Sequence, residues 1–146
     1  MNFSNNASRT RNHLSLLRVC LFLALLLWVG FAQCEAQIQT SVSSLTGFIQ
    51  TNTTPCPPQS YLLTGSNISA DVVITAPAGF EISQNQILWI APPNSDTIGQ
   101  NGPSTIPPTT IYVRLNTAVL GPYTGNIVHS STDSPSLNVA VSGIRS

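Results

Sequence analysis

The six residues Thr110-Ile111-Tyr112-Val113-Arg114-Leu115 decide the fold. Ile111, Val113 and Leu115 alternate with Thr110, Tyr112 and Arg114, so an extended chain here is apolar on one face and polar on the other, as in a half-buried strand. The same period of two recurs outward from this stretch. Val72 and Ile74 carry it, as do Phe80 and Ile82, Tyr61 and Leu63, Leu88 and Ile90, and Leu137, Val139 and Val141. Tyr123, Gly125 and Ile127 form another such set, and Val42 to Ile49 supplies one more strand. Between the strands stand Pro55-Cys56-Pro57-Pro58, Gly65-Ser66-Asn67, Pro77-Ala78-Gly79, Gly121-Pro122 and Ser134-Pro135, all turn punctuation. About seven or eight short antiparallel strands at regular spacing predict an all-β sandwich of immunoglobulin-like type. Prolines are expected at strand boundaries, because proline cannot donate a ladder hydrogen bond. Pro92 to Pro108 has no periodic pattern and reads as a long loop, the kind of place where sandwiches bind partners.

The N-terminus has a different character. Arg9, Arg11 and Arg18 precede an uncharged run from Val19 to Ala32. As a helix that run covers roughly 21 Å, short of a ~30 Å hydrocarbon core. A basic segment, a short apolar segment and small residues after it describe a signal peptide helix over residues 1–36. Cys34-Glu35-Ala36 puts small side chains at the −3 and −1 positions, so cleavage is expected between Ala36 and Gln37. The protein is then secreted or held at the cell surface, and touches a membrane only through this segment before cleavage. A retained anchor is the competing reading. Acylation at Cys34 is opposed by Gln33, where such sites usually carry Gly, Ala or Ser.

Charge excludes whole classes of function. The 146 residues hold five basic and five acidic side chains, for zero net charge, and no lysine. A nucleic-acid partner is not expected of a chain without a basic footprint. At 42% hydrophobic it is not a solvated disordered chain either. Removing residues 1–36 from 146 leaves 110, enough for a core. Those residues carry two bases, Arg114 and Arg145, and four acids, Asp71, Glu81, Asp96 and Asp133. Cys56 becomes the last cysteine, so a disulfide framework is not possible. It reads as a tolerated loop residue, or as a thiol that dimerises the protein.

Several stretches together resemble a family of immunoglobulin-like β-sandwich modules from secreted, multidomain proteins of the Bacteroidota. The carrying residues are Gln59 to Ile68 (QSYLLTGSNI), Asp71 to Ser83 (DVVITAPAGFEIS), Thr110 to Leu115, Gly121 to Ile127 (GPYTGNI) and Val139 to Gly143 (VAVSG), spanning residues 40–144. The resemblance implies a single module over 37–146 that acts as a spacer or binding unit beside other domains. Members often end in a separate secretion-sorting domain, which these residues do not include. Tyr123, near the start of a late strand, fits a tyrosine corner whose hydroxyl ties back to nearby backbone. Gly79 supplies turn freedom before Phe80 enters the core. Glu81 and Arg114 share outward phases and are placed to pair at the surface, where a pair contributes little.

Chemistry-bearing residues are few. Ser130, His129 and Asp133 make a triad on paper, but neighbours on a strand point to opposite faces. His129 shares the inward phase of Tyr123 and Ile127 and reads as a packing residue. Clustered ligands for a catalytic metal are not apparent, and Asn94-Ser95-Asp96 with Asn101 is a poor calcium loop. Neither an enzyme nor a cofactor is expected. The sharper signal is apolar surface. If Leu88 and Ile90 face the core, Ile87 and Trp89 face outward, and Leu62, Val73 and Tyr112 share outward phases on their own strands. The alternative for Trp89 is a shifted register that buries it. Asp96-Thr97-Ile98 resembles an O-glycosylation acceptor of secreted Bacteroidota proteins. Asn52-Thr53-Thr54 and Asn67-Ile68-Ser69 match the N-glycosylation acceptor, which a bacterial source would leave unused. The expected function is a non-catalytic interaction or adhesion-type module. The 92–108 loop and Trp89 form its contact surface, and its partners are other domains, surface proteins or glycans. The competing class is a carbohydrate-binding module with Trp89 and Tyr112 as stacking platforms.

Overall fold

Alternation becomes architecture through burial. A computed structural model describes residues 35–102 and 104–146. The signal-peptide helix expected over 1–36 lies, but for its last two residues, outside the described residues, while its expected cleavage site at Ala36 and Gln37 lies just inside them. Among the described residues there are nine strands and no helix. They are β1 (Gln37–Thr40), β2 (Ser44–Gln50), β3 (Gln59–Ser66), β4 (Val72–Thr75), β5 (Phe80–Ser83), β6 (Ser95–Ile98), β7 (Thr105–Leu115), β8 (Gly121–Ser131) and β9 (Ser134–Arg145). They form a four-stranded sheet, β1-β3-β7-β5, and a five-stranded sheet, β2-β9-β8-β4-β6. These orders match the ABED and GFC sheets of immunoglobulin domains, with β2 added beside β9 and β6 beside β4. The inward phases meet in one core holding Leu63, Ile74, Phe80, Ile82, Ile111, Val113, Leu115, Ile127 and Val139, each at 0% exposure. Phe48 and Phe80 pack edge to face within it, centroids 5.4 Å apart. Residues Glu35–Ser146 thus form a compact unit with a core of its own.

Five expectations are corrected. The strand expected over Val42 to Ile49 begins only at Ser44, as β2, and is preceded by a separate strand, β1, which pairs with β3 before the chain crosses at Ser41–Ser43 to pair with β9. That second pairing is parallel, so the sandwich is not antiparallel throughout. Leu88 and Ile90 do not make a strand. Leu88 is 66% exposed, and Ile90 alone bridges to Ile82. The 92–108 loop contains β6 and the start of β7, because Ser95–Ile98 adds to the free edge of β4. Finally, Pro107 and Pro108 lie inside β7. There the pairing with β3 shifts register between Leu63 and Gly65, and β5 covers only residues 112–115 on the other side, so two missing donors cost the ladder little.

Candidate functional site

The residues richest in chemistry are turned inward. His129 on β8 is fully buried, with its Nε2 2.7 Å from the Tyr61 hydroxyl and its Nδ1 2.9 Å from the Leu137 carbonyl. A carbonyl can only accept, so the proton sits on Nδ1, and Nε2 accepts from Tyr61. Burial lowers the His129 pKa and raises that of Tyr61, so both groups stay neutral. Ser130 and Asp133 take no part in this pair. Asp133 accepts from the Ser69 hydroxyl and amide and from Ser131, and the Ser69 bonds hold its carboxyl below the usual value.

Cys56 is a core residue rather than a tolerated loop residue. Its backbone N–H donates to Leu115 O at 3.1 Å, and its Sγ accepts from the Leu115 N–H at 3.1 Å. Burial raises the thiol pKa, so the group is neither exposed nor activated for dimerisation. Among the described residues, groups of three His, Cys, Asp or Glu placed to hold a metal are absent.

One end of the sandwich is locked by polar side chains. The Tyr123 hydroxyl donates to Val119 O at 3.0 Å and accepts from Thr117 Oγ1 at 2.7 Å. Its ring closes over Gly79, where φ is +85° and an added Cβ would stand 2.5 Å from Tyr123 Cδ1. Gln50, which carried no signal in the sequence, is 1% exposed and exchanges hydrogen bonds with both backbone groups of Thr117.

The outer face of the β1-β3-β7-β5 sheet carries the aromatic candidates. Glu81 on β5 stands opposite Arg114 on β7 and accepts from it at 2.7 Å, while Asn116 donates to the other Glu81 oxygen at 2.7 Å. The Arg114 and Glu81 side chains are only 22% and 13% exposed. This pair is therefore more than a solvated surface contact. Trp89 lies over the Arg114 guanidinium, whose carbon is 3.9 Å from the ring centroid. One ring face of the half-buried Trp89 is thereby covered. Tyr112, also half-buried, sits two residues before Arg114 on the same face of β7.

Between Ser83 and Ile90 the chain is shaped by its own polar side chains. Ser83 Oγ accepts from the amides of Asn85 and Gln86, and Asn85 Oδ1 accepts from those of Ile87 and Leu88. Trp89 Nε1 donates back to Gln86 O at 3.1 Å, and Ile90 exchanges two backbone bonds with Ile82. The tip so formed holds Ile87 at 86% exposure and Leu88 at 66%. Gln84 reaches from this loop to Asp96 on β6, at 3.0 Å. Asp96 and Thr97 therefore sit on an edge strand, Thr97 exposed, rather than in a loop. Asp96 and Trp89 flank one excursion, residues 84–98, whereas Tyr112 belongs to the sheet beneath it.

No established family model matches the chain, and neither does any curated protein. Among solved structures, the CooA pilin subunit from enterotoxigenic Escherichia coli is similar at 13% identity and a TM-score of 0.45, covering 77% of this chain and 97% of that one. The ASH/PapD-like domain of human CEP192 is similar at 10% identity and a TM-score of 0.43, covering 75% and 84%. These are resemblances of β-sandwich outline, and what those names describe belongs to those proteins.

Proposed function

We propose that this chain is an exported, non-catalytic immunoglobulin-like module that works outside the cell or on its surface by contact. The observation that carries this reading is the division of its side chains. His129, Tyr61 and Cys56 are buried in structural bonds, and Glu81, Arg114 and Asp133 are engaged with neighbours. Ile87, the most exposed large apolar residue among those described, stands with Leu88 on a loop fixed by its own hydrogen bonds, and Val119 and Leu120 project from the β7–β8 connection. The resemblance to Bacteroidota modules and the start of β1 at Gln37, the expected first residue after cleavage, support export. Intact mass and N-terminal sequencing of the protein from its native host test it. The expected product begins at Gln37, and extra mass on Thr97 would add a glycan acceptor. A chain that begins at Met1 and stays in the membrane overturns export and makes the module an anchored one.

The second reading is a carbohydrate-binding module. It is favoured by Trp89 and Tyr112 flanking Arg114 on one sheet face, where a sugar ring has aromatic surface to stack on. Glycan-array binding lost on Trp89→Ala supports it, and a flat array with wild type removes it.

A further inference from the structure

Cleavage between Ala36 and Gln37 does more than release the chain, because it makes glutamine the first residue. A glutamine in that position carries a nucleophile and an electrophile together. Its new α-amine has an ordinary pKa of about 8, so near neutral pH an appreciable share is in the uncharged, nucleophilic form. Its own side-chain carbonyl carbon lies at the spacing that closes an unstrained lactam. Ala36 and Ile38, the residues on either side, offer no such carbonyl.

The fold leaves this residue open and anchors the one after it. Gln37 begins β1, at the edge of the β1-β3-β7-β5 sheet, and is exposed, whereas Ile38 is only 6% exposed and holds the strand to the core. The Gln37 side chain accepts at Oε1 from Gln39 Nε2 at 2.8 Å. That bond joins two exposed groups, so water replaces it at little cost when the side chain turns back to the amine. We infer that the exported module carries Gln37 as a pyroglutamyl ring. The α-nitrogen attacks Cδ, the Cδ–Nε2 bond breaks, and Nε2 leaves as ammonia with the proton that the amine gives up. No oxidant, reductant or second substrate is consumed. The lactam nitrogen keeps one N–H and the Gln37 backbone carbonyl is untouched, so the pairing of Gln37 with Ser66 lacks neither donor nor acceptor. What the ring removes is a charge and a handle. Arg114 and Arg145 are then the only strongly basic groups of residues 37–146. An exopeptidase that recognises an α-amine finds none at the end of the chain, where proteolysis otherwise begins readily.

This rests on the export reading, since only cleavage before Gln37 frees the amine. The test is the mass of the product from its native host, together with labelling by an amine-specific reagent. The chain has no lysine, so the α-amine is the only amine that such a reagent meets. Wild type is expected to be about 17 Da lighter than a chain that begins with unmodified Gln37, the mass of one ammonia. It is expected to take no label and to resist stepwise N-terminal degradation, while fragment masses still read Gln37 as its first residue. The variant Gln37→Ser is expected to keep its full mass, to take a single label and to degrade normally. A wild-type product that begins at Gln37 with undiminished mass and one label overturns the ring and leaves export standing. A product that begins at Met1 overturns export and the ring together. Loss of ammonia that persists in Gln37→Ser places it at another residue and overturns the assignment to Gln37.

Discussion

Residues 72–83 and 84–98 follow one another in the chain and are held in place by opposite means. In the first region position is set by burial. Val72, Ile74, Phe80 and Ile82 are all at 0% exposure, and the turn between β4 and β5 is fixed by a Phe80 N–H to Pro77 O bond and by Gly79 beneath the Tyr123 ring. In the second region Ser83 and Asn85 side chains hold the backbone, and Ile87 and Leu88 face water. Burial ties a segment to partners far away in sequence and so supports the whole domain. Local polar bonds fix a shape while leaving the domain's stability almost unaffected. A surface meant for contact gains from the second arrangement, because its geometry is set before a partner arrives.

The sharpest way to break this comparison is the same truncation on both sides. Phe80→Ala is expected to cost about 3–5 kcal/mol, the loss of a fully buried ring plus the cavity it leaves. Ile87→Ala is expected to stay within about 0.5 kcal/mol of wild type. Urea unfolding of residues 35–146 reads both, and an equal loss at Ile87 would mean that the tip is packed in solution. Gly79→Ala comes next, at about 3 kcal/mol. The φ of +85° strains any L side chain, and the added Cβ would meet Tyr123 Cδ1 at 2.5 Å. A Gly79→Ala protein with wild-type stability would show that the Tyr123 corner does not depend on the turn.

The same contrast explains which parts of the molecule were legible in its sequence. Strands that bury one face had to alternate, so Ile111, Val113 and Leu115 and Val72 and Ile74 announced themselves. The split of β1 from β2 could not be read, because Thr40-Ser41-Val42-Ser43 looks like one extended run. Only its distant partners, β3 for one half and β9 for the other, assign the halves to different sheets. Ser95-Asp96-Thr97-Ile98 hides for a related reason: it buries a single side chain, Ile98, and so shows no period. Leu88 and Ile90 mislead in the other direction. They alternate as a strand would, yet Asn85 claims the amides of residues 87 and 88 before a neighbouring strand can. Cys56 sits among prolines and looks like loop, although Leu115 draws both its backbone and its sulfur into the core. Of the candidate site, the aromatic residues Trp89 and Tyr112 were legible as outward-facing, whereas the placing of the Arg114 guanidinium against the Trp89 ring depends on the pairing of distant strands and was not.

The buried side of the comparison also carries a titration. His129 uses both ring nitrogens while neutral, and burial places its folded pKa below the unfolded value near 6.5. Below about pH 6.5 the unfolded chain binds a proton that the native chain refuses, so stability is complete above that pH and falls as the pH is lowered towards the folded pKa. Urea midpoints measured between about pH 7.5 and pH 5.5 are expected to fall in wild type and to lose most of that slope in His129→Gln. A slope that survives the substitution would assign the proton elsewhere.

The smallest effect on stability is expected where the loop's shape is decided. Asn85→Ala removes the acceptor for the Ile87 and Leu88 amides, but water replaces it at an exposed site, so the cost is about 0.5–1 kcal/mol or less. The consequence is local. Hydrogen exchange at the amides of residues 87 and 88 is expected to accelerate in the variant, while Ile82 and Ile90, paired through the backbone at 3.0 and 2.8 Å, keep their protection. If the tip amides already exchange freely in wild type, Asn85 does not hold the loop, and its shape rests on Trp89 and Ile90 alone. If they are protected and become free on substitution, a single exposed side chain fixes the geometry of the apolar tip at Ile87 and Leu88. The two regions then differ in kind: one is ordered by what it hides, the other by what it holds out.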